Sequence, residues 1–324
     1  MAKAFRFHKA GGPEVMQFED VTVGDPGPGQ ARVRHTAIGV NYIDTYHRTG
    51  MYPLQLPSSI GMEGAGVVEA VGSGVTAIKQ GDRVAYTGQP PGSYAEARLF
   101  AADRLVKLPE GISDEQAASI MLKGMTAHYL THLTYAVKPG DTVLFHAAAG
   151  GVGLIACQWL KVIGATVIGT VGSDDKAKIA KAHGCDHTIV YTRENFVERV
   201  KEITGGKGVA VVYDSVGKTT FEGSLDCLRP RGLLALFGNS SGPVAAFNTG
   251  LLAQKGSLYL TRPTLFTYIA ANEALQAAAK ALFDVVKSGR VKIEITGRYK
   301  LADAVQVHRD LEGRKTTGSV IMLP

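Results

Sequence analysis

The stretch T-V-L-F-H-A-A-A-G-G-V-G-L-I, residues 142–155, reads as a buried strand that breaks through a glycine turn into a helix. Val143 to Phe145 are apolar and partly β-branched. Gly150, Gly151 and Gly153 let the backbone turn tightly and approach a ligand, and a helix beginning near Val152 presents unpaired N–H groups to it. Negative phosphates suit such a place. A glycine turn alone also serves as a bare connection, so the residues beyond it decide between the two.

From Leu154 to Ile163 the apolar residues run as in a buried helix, Gly164 sits where a helix ends, and Ala165 to Val171 make a second apolar strand. Further units succeed it: a helix over Asp174 to Ala182, a strand near Thr188 to Tyr191, a helix over Glu194 to Ile203 and a strand Val209 to Tyr213. A helix near Thr219 to Leu228, a strand Leu233 to Phe237 and a last strand Ser257 to Leu260 complete the series. This alternation predicts a doubly wound parallel α/β sheet with its ligand at the carboxyl ends of the strands.

An enzyme selecting NAD is expected to place Asp or Glu at the tip of the second strand, to bind the ribose hydroxyls. Here that tip reads Thr170, Val171, Gly172, Ser173, Asp174, Asp175, Lys176. The acid is missing and a cation stands one short turn away. Lys176 on a 2′-phosphate would add roughly 1.5–3 kcal/mol, about a ten- to hundredfold preference for NADP over NAD. The plainer reading of Lys176 is a solvated helix charge paired with Asp174 or Asp175.

A chain of 324 residues exceeds one ordinary core. Up to about residue 124 its texture differs, with glycines and prolines between short β-rich runs at Ala31 to Ala37, Gly66 to Val71, Arg83 to Tyr86 and Leu105 to Lys107. These predict an antiparallel, barrel-like domain. After the last wound strand come an alanine-rich helix, Asn272 to Ser288, and strand-like runs at Lys292 to Tyr299 and Gly318 to Leu323 that return to the first domain. No signal-like opening and no uncharged run of membrane-spanning length is visible, so a soluble, cytoplasmic protein is expected. Cys157, Cys185 and Cys227 read as buried thiols, and the nine histidines as surface or core residues. The net charge of +6 suits a polyanionic cofactor, while the spread of the lysines argues against nucleic acid.

Nine strings in order give the chain a likeness over its whole length. They include K-A-G-G-P-E-V at 9–15, N-Y-I-D-T-Y at 41–46, G-D-R-V at 81–84, K-G-M-T-A at 123–127, H-A-A-A-G-G-V-G at 146–153, V-Y-D-S-V-G at 212–217, F-G-N-S-S-G at 237–242 and S-L-Y-L-T-R-P at 257–263. In these the chain resembles the zinc-independent quinone oxidoreductases, zeta-crystallin-like, of the medium-chain dehydrogenase/reductase superfamily.

The resemblance implies a GroES-like β-barrel catalytic domain from both ends of the chain, 1–124 plus 264–324, with a Rossmann domain, 125–263, inserted between. It implies NADPH as cofactor. Gly151 and Val152 would cover the pyrophosphate, and Gly172, Ser173, Lys176 and Tyr191 would surround the adenosine phosphate. Asn41, Asp44, Tyr46, Thr126 and Tyr129 would line the nicotinamide side, with Val216, Gly238, Asn239 and Ser240 from later turns and Arg314 as a further cofactor contact. Tyr42 is read as filling space.

Zinc-bearing members are similar in plan but carry Cys where this chain has Asn41 and His where it has Met62, so no thiolate–imidazole metal site is expected there. A quinone spreads developing charge over its own conjugation, which leaves the protein to position it and exclude water. Asn41, Tyr46 and Tyr52 are the expected substrate contacts. Tyr46 is the candidate catalytic group, and no acid or base is assigned. Alternatives are reduction of an enone or alkenal C=C bond, and binding of AU-rich RNA with vestigial activity. An edge strand near 256–262 would pair with its copy in a homodimer.

Overall fold

A computed structural model describes all 324 residues, which gather into two compact units: Met1–Met125 with Ile269–Lys287 and Ile293–Pro324, and Thr126–Tyr268 with Ser288–Lys292. The first begins with strands β1 (Ala2–Phe7), β2 (Met16–Val21) and β3 (Gln30–Gly39), helix α1 (Tyr42–Thr49), and strands β4 (Ser58–Ser59), β5 (Glu63–Val71), β6 (Arg83–Thr87), β7 (Ala97–Ala101) and β8 (Val106–Lys107). Helix α2 (Asp114–His128) leads out of it and runs into a π-helical segment, Tyr129–Thr134.

The second unit alternates strand and helix: β9 (Thr142–Phe145), α3 (Gly151–Ile163), β10 (Thr166–Val171), α4 (Asp174–Ala182), β11 (His187–Val190), α5 (Phe196–Ile203), β12 (Val209–Asp214), α6 (Phe221–Asp226), β13 (Leu228–Leu236), α7 (Gly250–Gln254), β14 (Tyr259–Thr261) and α8 (Leu265–Tyr268). Its six strands are parallel in the order β11-β10-β9-β12-β13-β14. That is the Rossmann order, reversing direction at β9, where ligands bind beyond the strand ends. All six residues of β12 are buried, as a strand covered on both faces requires. Leu144, Ile168, Ile189, Val212 and Leu234 share one core with Phe221 and Leu225 of α6.

Helix α9 (Asn272–Lys287), strand β15 (Ile295–Lys300), helix α10 (Ala304–Glu312) and strand β16 (Ser319–Leu323) return to the first unit. There β15-β16-β3-β5-β6-β8 form a sheet in which β7 also pairs with β3, while β2-β1-β4 form a smaller one. Val33, Val68, Val84, Tyr86 and Phe100 fill one core, and Phe7, Ile38, Ile60, Tyr94, Val307 and Met322 another.

Several sequence expectations shift. The helix expected over Thr219 to Leu228 is only Phe221–Asp226, because Leu228 already begins β13 opposite Val209. The last wound strand is Tyr259–Thr261 instead of Ser257 to Leu260, since Ser257 sits at φ 55°, outside extended geometry. Residues 264 to 268, expected in the catalytic domain, belong to the second unit: Tyr268 stacks on Tyr129 at 4.4 Å and accepts from the Thr134 hydroxyl at 2.8 Å. Residues 288 to 292 join them, Lys292 exchanging two hydrogen bonds with the Gln158 amide. The nine histidines, read in the sequence as dispersed with none paired four residues apart, do include one such pair: His128 and His132 lie four apart with rings stacked at 4.9 Å.

Candidate active site

In the second unit the residues expected to hold a dinucleotide lie beyond the carboxyl ends of β9, β10, β12 and β13. The first backbone bond of α3 runs from the Leu154 amide to the Gly150 carbonyl at 2.9 Å. The amides of Gly151, Val152 and Gly153 therefore have no backbone acceptor, which makes a helix N-terminus an anion site. Ala147, just before it, is held at φ 55°, a conformation unusual for a residue with a side chain.

At the tip of β10, Ser173 caps α4, its hydroxyl accepting from the Lys176 amide at 3.4 Å. A Cβ on Gly172 would stand 2.9 Å from the Tyr191 hydroxyl, so only glycine lets that phenol lie over the turn. Asp174 is gripped by both terminal nitrogens of Arg193, and Asp175 by Lys178 at 3.0 Å. Arg193 follows a different strand and so carries no signal in the sequence around the β10 tip; it brings a second cation to the region of Lys176.

A buried hydrogen-bonded chain joins three of these turns. The Asp214 carboxylate, at the end of β12, accepts from the Val216 amide (2.7 Å), the Gly217 amide (3.0 Å), the Thr220 hydroxyl (2.7 Å) and the Ser224 hydroxyl (2.9 Å). Because Ser224 donates to Asp214, it accepts from His146 Nε2 at 3.0 Å, and His146 Nδ1 accepts from the Thr170 hydroxyl at 2.8 Å. Burial lowers the His146 pKa against the opposing pull of Asp214, in keeping with this neutral tautomer. The ends of β9, β10 and β12 are thereby fixed to one another. The turn after β13 is tied in as well, the Ser240 amide donating to Ser215 and the Ser241 amide to Val216. Gly238 and Asn239 precede it.

In the first unit, Asn41 caps α1 and Asp44, fully buried, accepts from the Asn41 amide and the Tyr94 hydroxyl, both at 3.0 Å. Its other oxygen, Oδ1, is buried without a partner. Burial raises the Asp44 pKa to about 7, only partly offset by those two donors and by Lys123. Tyr46 stands between Tyr42 (5.5 Å) and Tyr52 (5.1 Å) in two edge-to-face contacts, so the expected substrate tyrosines form one aromatic wall. Burial and Glu312 raise the Tyr42 pKa, and the charge of Arg314, at φ 57° beyond α10, opposes them. At the start of the second unit, Thr126 at the end of α2 and Tyr129 in the π-helical segment are buried, and burial raises the Tyr129 phenol pKa while Arg262 opposes it. No group of three or more His, Cys, Asp or Glu side chains gathers to hold a metal.

The families described as "Alcohol dehydrogenase GroES-like domain" and "Zinc-binding dehydrogenase" match residues 27–110 and 151–284. A quinone oxidoreductase of Pseudomonas aeruginosa is 55% identical over the whole of both chains, and a 2-haloacrylate reductase of Burkholderia is 48% identical over all of this chain and 99% of its own. The solved structure of Escherichia coli quinone oxidoreductase complexed with NADPH superposes with a TM-score of 0.98 at 52% identity, covering both chains completely. The two folds define a medium-chain dehydrogenase/reductase. Within that superfamily the chain belongs to the quinone oxidoreductases.

Proposed function

We propose that this protein is an NADPH-dependent quinone oxidoreductase. The observation that carries the reading is the residue set at the strand ends: free helix amides at Gly151 to Gly153, a glycine at 172 under the Tyr191 hydroxyl, and Lys176 after the strand tip where an acid would select NAD, with Arg193 brought to that turn by Asp174. These fit a dinucleotide with a 2′-phosphate, as does the NADPH complex of the similar E. coli enzyme. Gly151 and Val152 hold the pyrophosphate. Gly172, Ser173, Lys176 and Tyr191 hold the adenosine phosphate. Val216, Gly238, Asn239, Ser240, Thr126 and Tyr129 line the remainder, with Asn41, Asp44, Tyr46 and Arg314 from the first unit.

When bound, NADPH supplies a hydride. The chain's own part is to orient the acceptor flat against the aromatic wall of Tyr46 and Tyr52, to exclude water with that wall, and to hold a proton near the acceptor oxygen. The 2-haloacrylate reductase relative supports a second reading, reduction of an activated C=C bond. NADPH oxidation measured with 1,4-benzoquinone, 9,10-phenanthrenequinone and a 2-alkenal separates the two. Rates with the quinones no higher than the blank would refute the main reading.

We also infer a cytoplasmic homodimer joined through β14, which lies at the edge of the parallel sheet with Tyr259 exposed. A monomeric mass by light scattering would refute the dimer, and recovery in a membrane or periplasmic fraction would refute the location. No helix is long and apolar enough to cross a membrane.

A further inference from the structure

At the N-terminus of α1 lies a cluster that joins residues of two separate sequence motifs, Asn41 and Lys123, through Glu63. Glu63 is fully buried on β5. Its Oε1 accepts from the Leu122 amide at 2.7 Å, and its Oε2 accepts from Asn41 Nδ2 at 2.7 Å and from the Lys123 ammonium at 3.2 Å. The Lys123 side chain is only 7% exposed, so the pair has been taken out of water. Room for it is made on the neighbouring strand: a Cβ on Gly39, which pairs with Glu63, would stand 2.3 Å from Glu63 Oε2.

A buried ion pair seldom stabilises a fold more than apolar residues of equal volume would, so its presence calls for another use. Its location supplies one. Asn41, at the cap of α1, donates to the Glu63 oxygen that also receives Lys123. The cluster thus sets the Lys123 Nζ and Asn41, the residue expected to meet the substrate, on one carboxylate oxygen, and Lys123 lies three residues before Thr126 on α2.

We propose that Lys123 is the electrophile and proton donor of this reaction, held in place by Glu63. This rests on the reading of the protein as a reductase of quinones or of enones. As the acceptor gains a hydride, the electron pair of its C=O bond moves onto oxygen. That oxygen takes a proton from Lys123 Nζ: an N–H bond breaks, an O–H bond forms, and the resulting amine regains its proton from solvent. The sum is acceptor plus NADPH plus one proton giving reduced acceptor and NADP+. Asn41, anchored to the same carboxylate oxygen, is a positioning residue.

The test uses two readouts on the full-length protein. First, 4-nitrophenol stands in for the anionic product oxygen at a pH below the phenol's own pKa, where the free ligand is neutral, and the absorbance gained on adding the protein, with and without NADP+, reports whether it binds as phenolate. Wild type is expected to bind the phenolate, Lys123→Met to lose it and Lys123→Arg to keep part of it. Second, kcat with 9,10-phenanthrenequinone should fall roughly a hundredfold in Lys123→Met, the size of effect seen when one oxyanion donor is removed, with the KM for NADPH nearly unchanged. Removing one partner of a buried pair strands the other charge, so Lys123→Met/Glu63→Gln is made alongside and should show the same two losses if the single variant does not fold.

The proposal is overturned if wild type shows no phenolate absorbance, or if folded Lys123→Met or the double variant keeps kcat within a few-fold of wild type. Should wild type fail to reduce quinones, the functional reading falls. The phenolate readout, and turnover of a 2-alkenal, then still decide on Lys123.

Discussion

Arg193 and Asp174 face each other across the turn after β10 in a two-pronged ion pair, at 2.6 and 2.7 Å, one residue away from the cap of α4. Both side chains are more than half exposed, and the Arg193 hydrogen bonds hold the Asp174 pKa below the usual carboxylate range. The pair keeps a guanidinium beside the place where Lys176 is expected to meet a 2′-phosphate. Lys176→Ala should raise the KM for NADPH roughly ten- to hundredfold and leave that for NADH nearly unchanged. Arg193→Ala should act in the same direction but less, since Asp174 already engages its charge. Asp174→Asn, which frees Arg193, should lower the KM for NADPH. Steady-state kinetics with both nucleotides checks all three, and equal effects on NADPH and NADH would remove the assignment.

Gly172→Ala tests the same turn by volume instead of charge. The added methyl would stand 2.9 Å from the Tyr191 hydroxyl and 3.4 Å from Cζ of its ring. Tyr191 is half exposed at a strand end and can swing away, so the fold should survive while the phenol leaves the turn. The expected result is an unchanged Tm with weaker NADPH binding by calorimetry. Tyr191→Phe should keep most of the wild-type affinity if the ring matters more than the hydroxyl.

Ser224→Ala should injure cofactor binding without touching any cofactor contact. Ser224 links His146 to Asp214 inside the second unit, and its loss leaves the buried His146 Nε2–H without an acceptor. An orphaned buried donor costs about 1–3 kcal/mol. The turns at Gly151 and Val216 should lose their fixed spacing, so NADPH affinity is expected to fall along with Tm. Ser224→Thr, which restores a hydroxyl, should recover part of both. Calorimetric titration alongside thermal melts checks this, and a variant that lowers Tm but binds NADPH as wild type does would confine the chain of bonds to stability.

The wound sheet is legible in the sequence because its signals are local: an apolar run, a glycine turn and a helix with its own stop repeat through the second unit, and helix α4 falls at Asp174–Ala182 as expected. Expectation and structure part where the chain leaves regular geometry, as at Ser257, or where a helix is cut short by the strand it feeds, as at Leu228. The first unit is legible only coarsely. Its β3 pairs with β5, β7 and β16, partners that are distant in sequence, and no periodicity reveals such pairing. The candidate residues on strand-end turns come from glycine spacing and family likeness. Lys123, His146 and Asp214 stand inside recognisable motifs and Arg193 outside them, yet none carries a signal of its own, because what singles them out is a partner: Glu63 lies 60 residues from Lys123, and Ser224 lies 78 from His146.

Acid stability should report the buried titratable groups of the first unit, with two opposing signs. Burial depresses His308 to about 3, helped by Arg48, and His35 to about 4, against an ordinary value of 6.5. A histidine held neutral contributes stability that is present above pH 6.5 and drains away as pH falls toward the folded value, because the unfolded chain takes up the proton first. His47, lowered by burial to about 4, acts in the same direction. Asp44 acts oppositely: raised by burial to about 7, it favours the folded state below about pH 4 and loses that contribution as pH rises through 7. Wild type is therefore expected to lose Tm between about pH 6.5 and 4, since the histidines outnumber the one carboxyl. Asp44→Asn keeps an acceptor for Asn41 and Tyr94 and should gain a few kcal/mol at about pH 8, at about 1.4 kcal/mol per pKa unit, with the gain vanishing near pH 4. His308→Gln should flatten the acid limb. Melts at about pH 8, 6 and 4 check the signs, and an Asp44→Asn variant less stable than wild type at the highest of these would mean that the carboxyl is held ionised in the folded protein.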